Sequence, residues 1–252
     1  MASRNKIKMS DVVVIIPAYN HGETVAGVAS DALKLGFPVI VVDDGSTDNT
    51  GKSLDGLSGA IVLRHNKNSG KGAALKTGMK IAAETATWAV TLDADGQHFP
   101  GDVKALLSVI PSHGRPIIVG QREGMESAPW TSRFGRRFSN FWVWVSGGPL
   151  ISDSQSGFRA YPLPETLNLD VEAGGYQYEI EVLVKAHHAG IPIMEAPVRV
   201  AYKTRVPRIS HFHPFYDFLR NTGTFSRLIT KRIFAPCLRG VKADGKKGVV
   251  KR

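Results

Sequence analysis

The chain has 252 residues, of which 42% are hydrophobic and 21% charged, with a formal net charge of +10 at pH 7 and a single cysteine. This is the composition of an ordinary globular protein with a sizeable core, and the lone Cys237 excludes an internal disulfide or a cysteine zinc cluster. No apolar run approaches the roughly eighteen residues that span a bilayer, and the leading Met-Ala-Ser-Arg-Asn-Lys-Ile-Lys lacks the apolar core of a signal peptide, so a cytoplasmic protein is expected.

In chain order, Val12 to Ile16, Val39 to Val42, Ala60 to Leu63, Ala89 to Leu92 and Ile117 to Gly120 are short apolar runs that read as strands. Between them Glu23 to Leu35, a turn of helix after Asp48, Gly72 to Thr85 and Asp102 to Val109 read as helices. Such alternation predicts an α/β fold, a doubly wound, mostly parallel sheet with helices on both faces. Ligands bind such sheets at the carboxyl ends of the strands, and the polar clusters fall there: Pro17-Ala18-Tyr19-Asn20, Asp43-Asp44-Gly45-Ser46, Asn66 to Lys71, and Asp93-Ala94-Asp95. Four successive loops thus point at one crevice.

After about residue 130 the character changes. Trp130 to Val145 mixes Trp, Phe and Val with Arg133, Arg136 and Arg137, the pattern of a helix with one apolar and one cationic side. Ser152 to Tyr161 follows as a polar stretch, then a helix from Tyr178 to His188 and a strand from Ile193 to Tyr202. From Pro214 to Phe234, apolar residues recur near helical spacing with Arg220, Arg227 and Lys231 on another side, which suits a helix at a membrane interface. The basic character belongs to this end: residues 199–252 hold fourteen Lys or Arg against Asp217 and Asp244, whereas residues 1–198 hold eighteen basic and twenty acidic residues. The last residues are rich in Gly and Lys, and a disordered tail is expected there.

The stretch Trp88-Ala-Val-Thr-Leu-Asp93-Ala94-Asp95-Gly-Gln97-His98 carries the most chemistry. An apolar strand ends in two carboxylates one residue apart and an amide oxygen two further on. Oxygen ligands so arranged suit Mg²⁺ or Mn²⁺, which keep open positions for substrate phosphates. Turn or helix-cap roles before Pro100 are the structural alternative for both aspartates. An EF-hand is excluded because Gly96 directly follows Asp95. Gly45 to Ser53 fails as a P-loop, since five residues separate its glycines where four are required. Gly70-Lys71-Gly72 reads as a helix start whose N–H groups and Lys71 could approach an anion. No HExxH occurs, and the basic terminus carries no RNP, KH or helix-turn-helix signature.

Taken together, Pro17-Ala18-Tyr19-Asn20, Asp43-Asp44-Gly-Ser46, Asn68-Ser-Gly70-Lys71-Gly72 and Asp93-Ala94-Asp95-Gly-Gln97-His98 resemble the inverting nucleotide-sugar glycosyltransferases of family 2, with a GT-A fold. Gly120-Gln-Arg122, Asp153-Ser-Gln-Ser156-Gly157-Phe158-Arg159 and Ser210-His211 look like the branch that moves a sugar onto a polyprenyl phosphate, the dolichyl-phosphate mannose synthase type. The resemblance implies that Pro17, Ala18 and Tyr19 border the base and ribose, and that Asp44, Asp93, Ala94 and Lys71 belong to the nucleotide-sugar site. It implies a Mg²⁺ or Mn²⁺ ion on Asp95 and Gln97, and Arg205 and His211 at the diphosphate. His211 replaces a Lys, which would make that contact pH-sensitive. Arg122, Arg133, Ser156 and Arg159 would bind the acceptor phosphate, with Arg136 and Arg137 as further candidates. Arg122, Arg159 and Asp153 form the catalytic set, Asp153 being an orienting group or a base.

The resulting expectation is a GT-A catalytic domain over residues 1–212, with a nucleotide-sugar half at about 10–125 and an acceptor half at about 126–212. An amphipathic basic segment (213–236) and a basic tail (237–252) follow. Its partners would be a UDP- or GDP-linked sugar, a polyprenyl phosphate and, peripherally, the cytoplasmic face of the membrane, reached through residues 214–234 or an anchoring partner protein. Two other readings compete: the same fold acting on a hydroxyl of a glycan or lipid, and a non-catalytic nucleotide or nucleic-acid binding module.

Overall fold

The computed structural model describes residues 7–124, 130–201, 223, 224 and 226. Seven strands form one sheet: β1 (Val12–Ala18), β2 (Val39–Asp43), β3 (Ala60–Arg64), β4 (Trp88–Thr91), β5 (Ile117–Arg122), β6 (Arg159–Pro162) and β7 (Ile193–Val198). Their order across the sheet is β3-β2-β1-β4-β6-β5-β7. Six α-helices accompany them among the described residues: α1 (Val25–Lys34), α2 (Thr50–Asp55), α3 (Lys71–Ala82), α4 (Val103–Ser108), α5 (Trp130–Val145) and α6 (Tyr178–His188).

β1 shows why the sheet is covered on both faces. All seven of its residues are buried, so alternate side chains must find apolar partners on opposite sides. Val12, Val14 and Ile16 pack with Val25, Val28 and Ala29 of α1 and Val103 and Leu106 of α4. Val13 and Ile15 pack on the other face with Ala74, Leu75 and Met79 of α3 and Val182 and Leu183 of α6. Each aliphatic side chain so enclosed contributes roughly 1.5–3 kcal/mol. The two layers therefore hold β1 as an inner strand of the sheet.

β1, β2, β3 and β4 run parallel, and β5 runs parallel to β7. β6 runs antiparallel to both its neighbours, β4 and β5. Ser152 to Tyr161 is assigned no strand from sequence, yet its end forms this inner strand. A strand beginning with a charged residue gives no apolar-run signal, and here the neighbouring strands supply the hydrogen bonds and the burial that its own sequence does not advertise. The strand expected to reach Tyr202 ends at Val198. Beyond it the chain turns toward the β4 exit, where Val200 bridges His98 and the Ala201 N–H donates to the Gln97 carbonyl at 2.9 Å.

No helix among the described residues is long and apolar enough to cross a membrane. The expected segments at 213–236 and 237–252 lie outside the described residues.

α3 approaches β1 closely at Gly78, where an added Cβ would lie 2.6 Å from Ile15 Cγ2 and 3.4 Å from Val42 Cγ2. Gly78→Val is expected to destabilise the fold by about 2 kcal/mol through overpacking. A urea titration checks this through a lower midpoint at unchanged slope.

Candidate active site

The loops at the carboxyl ends of the parallel strands are stitched together largely by backbone groups. After β1, the Asn20 N–H donates to Ser46 Oγ at 2.9 Å, the His21 N–H to Thr50 Oγ1 at 2.8 Å, and the Thr47 N–H to Asn20 Oδ1 at 2.9 Å. Asn20 takes up a left-handed backbone, φ 55°, which its short amide side chain tolerates. The half-buried Tyr19 is thereby fixed at the mouth between β1 and β2.

Asp44, buried after β2, acts entirely inside the protein. One oxygen accepts from His65 Nδ1 at 2.6 Å and the Ser69 N–H at 3.0 Å, the other from the Gly70 N–H at 2.7 Å. A carboxylate only accepts, which places the proton on His65 Nδ1. These bonds tie down the loop that leads into α3. Ala18 and Ala94 are also bonded within the protein. Their methyl groups lie in the core, and their carbonyls accept from the Asp44 N–H at 2.8 Å and Thr24 Oγ1 at 2.6 Å. Pro17 is buried in β1, leaving Tyr19 and Asn20 as the part-exposed members of that motif.

The N-terminus of α3 also differs from expectation. The Gly174 carbonyl accepts the Ala73 N–H at 2.8 Å, and a Cβ on Gly70 or Gly72 would collide with the 174–175 backbone. A protein carbonyl thus occupies the place expected for an anion.

Lys71 is directed inward instead. Its ammonium lies 2.6 Å from Asp93 Oδ1 and 2.7 Å from Glu179 Oε1, the latter on the first turn of α6. Burial alone would lower the Lys71 pKa, but Asp93 and Glu179 outweigh it and hold the ammonium charged well above its ordinary range. Burial would raise Asp93, yet Lys71, with His98 and Arg122 further off, keeps it below the usual carboxylate range. Space for the trio comes from Gly157, where a Cβ would sit 2.6 Å from both Asp93 Oδ2 and Lys71 Nζ. Sequence reading misses Glu179. The signal available was a helix, Tyr178 to Val184, in which Glu179 and Glu181 interrupt an otherwise apolar and buried run; carboxylates in such company need cationic partners.

Asp95 stands beside this cluster with the opposite tendency. Burial and then the charge of Asp93 push its carboxyl above the ordinary range, although the Gln97 N–H donates to Oδ1 at 3.0 Å. Gln97 is half-buried on the same turn. Burial likewise lowers the pKa of His98 against the pull of both aspartates, and its ring packs on Phe158 with centroids 5.2 Å apart. Among the described residues no cluster of three His, Cys, Asp or Glu side chains could cage an ion. One or two carboxylates with an amide oxygen is the donor set of Mg²⁺ or Mn²⁺ shared with a phosphate ligand, and the residues present fit that use.

Opposite Asp93, the end of β5 supplies Arg122. Its Nε donates to Asp153 Oδ2 at 2.6 Å and its Nη2 to Asp153 Oδ1 at 2.8 Å, a two-pronged pair whose carboxylate has no exposure. The loop carrying Asp153 is held from two sides. Glu195 of β7 accepts from the Ser152 N–H and Oγ, while Asn140 of α5 donates to the Ser152 carbonyl and accepts from the Ser154 N–H.

Arg159, expected at the acceptor phosphate, is fully buried, and its guanidinium donates to the carbonyls of Ser156 at 2.7 Å, Ser154 at 2.8 Å and Glu179 at 2.6 Å. It braces the 154–156 loop and the start of α6. Ser156 is buried, its hydroxyl without a hydrogen-bond partner among the described residues. Arg133 and Arg137 are exposed on α5, and Arg136 is half-buried. Arg205 and His211 lie outside the described residues.

The family model described as glycosyl transferase family 2 matches residues 13–164. The chain belongs to glycosyl transferase family 2. It is a glycosyltransferase whose relatives share about a third of its residues. It is 32% identical over 215 residues to UDP-N-acetylglucosamine–dolichyl-phosphate N-acetylglucosaminyltransferase of Methanococcus voltae, covering 76% of this chain and 86% of that one. It is 30% identical over 206 residues to polyprenol monophosphomannose synthase of Mycolicibacterium smegmatis, covering 74% and 76%. Its fold matches glucosyl-3-phosphoglycerate synthase of Mycobacterium tuberculosis, solved with Mn²⁺, UDP and glucosyl-3-phosphoglycerate, at a TM-score of 0.61 and 22% identity over 94% of this chain and 86% of that one. Mannosyl-3-phosphoglycerate synthase of Rubrobacter xylanophilus matches at 0.62 and 17% identity over 95% and 78%. These neighbours place the sheet and its helices in the GT-A architecture.

The Lys71 cluster yields a stability test. Lys71→Met leaves Asp93 and Glu179 without their cation in a largely buried setting, at an expected cost of about 3 kcal/mol at neutral pH. In the variant, burial of Asp93 is no longer offset by Lys71, so its carboxyl is expected to lie above its unfolded value and stability should rise as pH falls from neutral. In the parent, Asp93 is depressed and its contribution should disappear as pH falls through its folded pKa. Thermal melts across the acidic to neutral range should show these opposite slopes.

Proposed function

We propose that this chain moves a sugar from a nucleoside diphosphate sugar, UDP- or GDP-linked, to a polyprenyl phosphate of the dolichyl type, acting peripherally on the cytoplasmic face of a membrane. The observation that carries this reading is the pairing at one sheet rim of an acidic donor-side group, Asp93 with Asp95, and a cationic acceptor-side group, Arg122 locked by Asp153. Arg122 is near enough to lower the pKa of Asp93, which supports one site shared by the two sides. The lipid-phosphate acceptors in the names of the relatives support the acceptor class.

A Mg²⁺ or Mn²⁺ ion held by Asp95 and Gln97 would stabilise the charge that grows on the departing diphosphate. The chain's own residues do the rest. Lys71 keeps Asp93 ionised and fixed beside the nucleotide, and Tyr19 lines the base and ribose. Arg205 and His211 remain the proposed diphosphate contacts, and Arg133 and Ser156 remain with Arg122 on the acceptor side. Arg122 presents its guanidinium to the acceptor phosphate in an orientation set by Asp153. A lipid phosphate is anionic at neutral pH, and attack by its oxygen needs no strong base. Asp153, fully buried with both oxygens on Arg122, suits the orienting role and not that of a base, which favours a phosphate acceptor over a hydroxyl. A single displacement of this kind inverts the anomeric configuration.

Radiolabelled sugar should appear in a butanol-extractable lipid when the protein is given a nucleoside diphosphate sugar, a polyprenyl phosphate and Mn²⁺ or Mg²⁺, and should vanish with a chelator. Asp95→Asn should lower turnover about a hundredfold. No transfer from a full panel of UDP- and GDP-sugars to several prenyl phosphates would overturn the reading. Asp153→Asn separates the acceptor classes: a raised KM for the prenyl phosphate is expected, whereas near-total loss of turnover with intact nucleotide binding would point to a base and a hydroxyl acceptor.

A further inference from the structure

The turn that follows β4 is braced from outside itself. Asp95 and Gln97 flank Gly96, whose backbone is left-handed at φ 72°; glycine enters that conformation readily and leaves it as readily. A cation shared between a carboxylate and an amide oxygen needs both at a fixed separation, Mg²⁺ above all, since it accepts little departure from octahedral geometry. The turn supplies one restraint of its own, the bond from the Gln97 N–H to Asp95 Oδ1 at 3.0 Å. The others come from three consecutive residues past the end of β7.

The Ala201 N–H donates to the Gln97 carbonyl at 2.9 Å, Val200 forms an antiparallel bridge with His98, and Arg199 closes on Asp102. Asp102, buried at the start of α4, has both oxygens engaged by Arg199. Oδ2 accepts the Arg199 backbone N–H at 2.8 Å and Nε at 3.2 Å, and Oδ1 accepts Nε at 3.0 Å and Nη2 at 2.6 Å. The guanidinium also lies 5.0 Å from the ring centroid of Phe99. This charge-assisted clasp fixes the course of 199–201 across the turn. The Gln97 peptide is thereby held from its carbonyl side by Ala201 and from its N–H side by Asp95.

We propose that Arg199 and Asp102 are positioning residues for the cation site: their clasp keeps the Gln97 peptide fixed beside Asp95, so that carboxylate and amide are in place when Mg²⁺ or Mn²⁺ arrives with a nucleoside diphosphate. This rests on the reading of Asp95 and Gln97 as the ligands of the ion. The pair acts through the backbone and not as ligands, by removing the need to order a glycine-centred turn on binding.

Water-proton relaxation of the full chain with Mn²⁺ and UDP or GDP, in the absence of a lipid acceptor, reads ion affinity directly. Arg199→Met is expected to weaken Mn²⁺ binding with nucleotide about tenfold at an unchanged melting temperature, since the Arg199 side chain is 63% exposed. Arg199→Lys, which keeps a charge-assisted bond, should recover part of the affinity. In turnover the Mn²⁺ requirement and the KM for the nucleotide sugar should rise while the KM for the prenyl phosphate stays. Hydrogen exchange of the metal-free protein gives a readout independent of the ion: the Ala201 amide should exchange faster in Arg199→Met than in the parent. Faster exchange with unchanged Mn²⁺ affinity would overturn the positioning role and leave the transferase reading standing, as would unchanged exchange. Weaker Mn²⁺ binding in Arg199→Met, with no transfer by the parent to any prenyl phosphate, would uphold the clasp and remove the acceptor reading. A parent that binds no Mn²⁺ with either nucleotide would remove the ion site and this proposal together.

Discussion

The contact among Lys71, Asp93 and Glu179 is the constraint around which the rest of the rim is arranged. Three charges meet in a largely buried place, where an isolated ion would be strongly disfavoured and only mutual neutralisation makes the arrangement tolerable. The three come from the start of α3, the end of β4 and the start of α6. Their attraction fixes those element ends against one another, and Gly157 admits them by having no side chain. Asp95, two residues from Asp93, inherits a neighbouring negative charge.

Two carboxylates of the rim are thus held by cations of the protein itself, Asp93 by Lys71 and Asp153 by Arg122. Asp44 is held by backbone N–H groups and His65. The difference matters for chemistry. A carboxylate filled by backbone donors is a loop anchor, and one fully enclosed by a guanidinium sets the direction of that guanidinium. One with a part-exposed face and an unneutralised neighbour, as at Asp93 and Asp95, remains available to a ligand. Burial and hydrogen-bond filling separate these three cases where the letter D does not.

Much of the fold is legible in the chain itself. β1, β2, β4 and β5 announce themselves as compact apolar runs, and α5 and α6 begin and end where their periodicity does. β6 escapes because four residues opening with Arg159 carry neither alternation nor an apolar run; its burial is conferred by β4 and β5. The positions of the donor loops are equally legible, since each follows a strand. What sequence spacing does not reveal is which atoms a motif spends internally. Asp44, Ala18, Ala94 and Arg159 stand in the motif positions and also bond within the protein, and Glu179, in no motif, completes the central cluster. Such pairings join residues from distant segments whose proximity exists only after folding.

The reversed direction of β6 has an architectural outcome. A strand running with its neighbours would deliver its starting end to the far edge of the sheet, away from the ligands. Running against them, β6 delivers that end to the other edge, so the segment from Ser152 to Phe158 enters the sheet where the loops after β1, β2 and β4 leave it. Asp153 is thereby carried to Arg122 at the end of β5, and Gly157 to the Lys71–Asp93 pair. One reversed strand of four residues thus brings a segment late in the chain to a rim built by its first half.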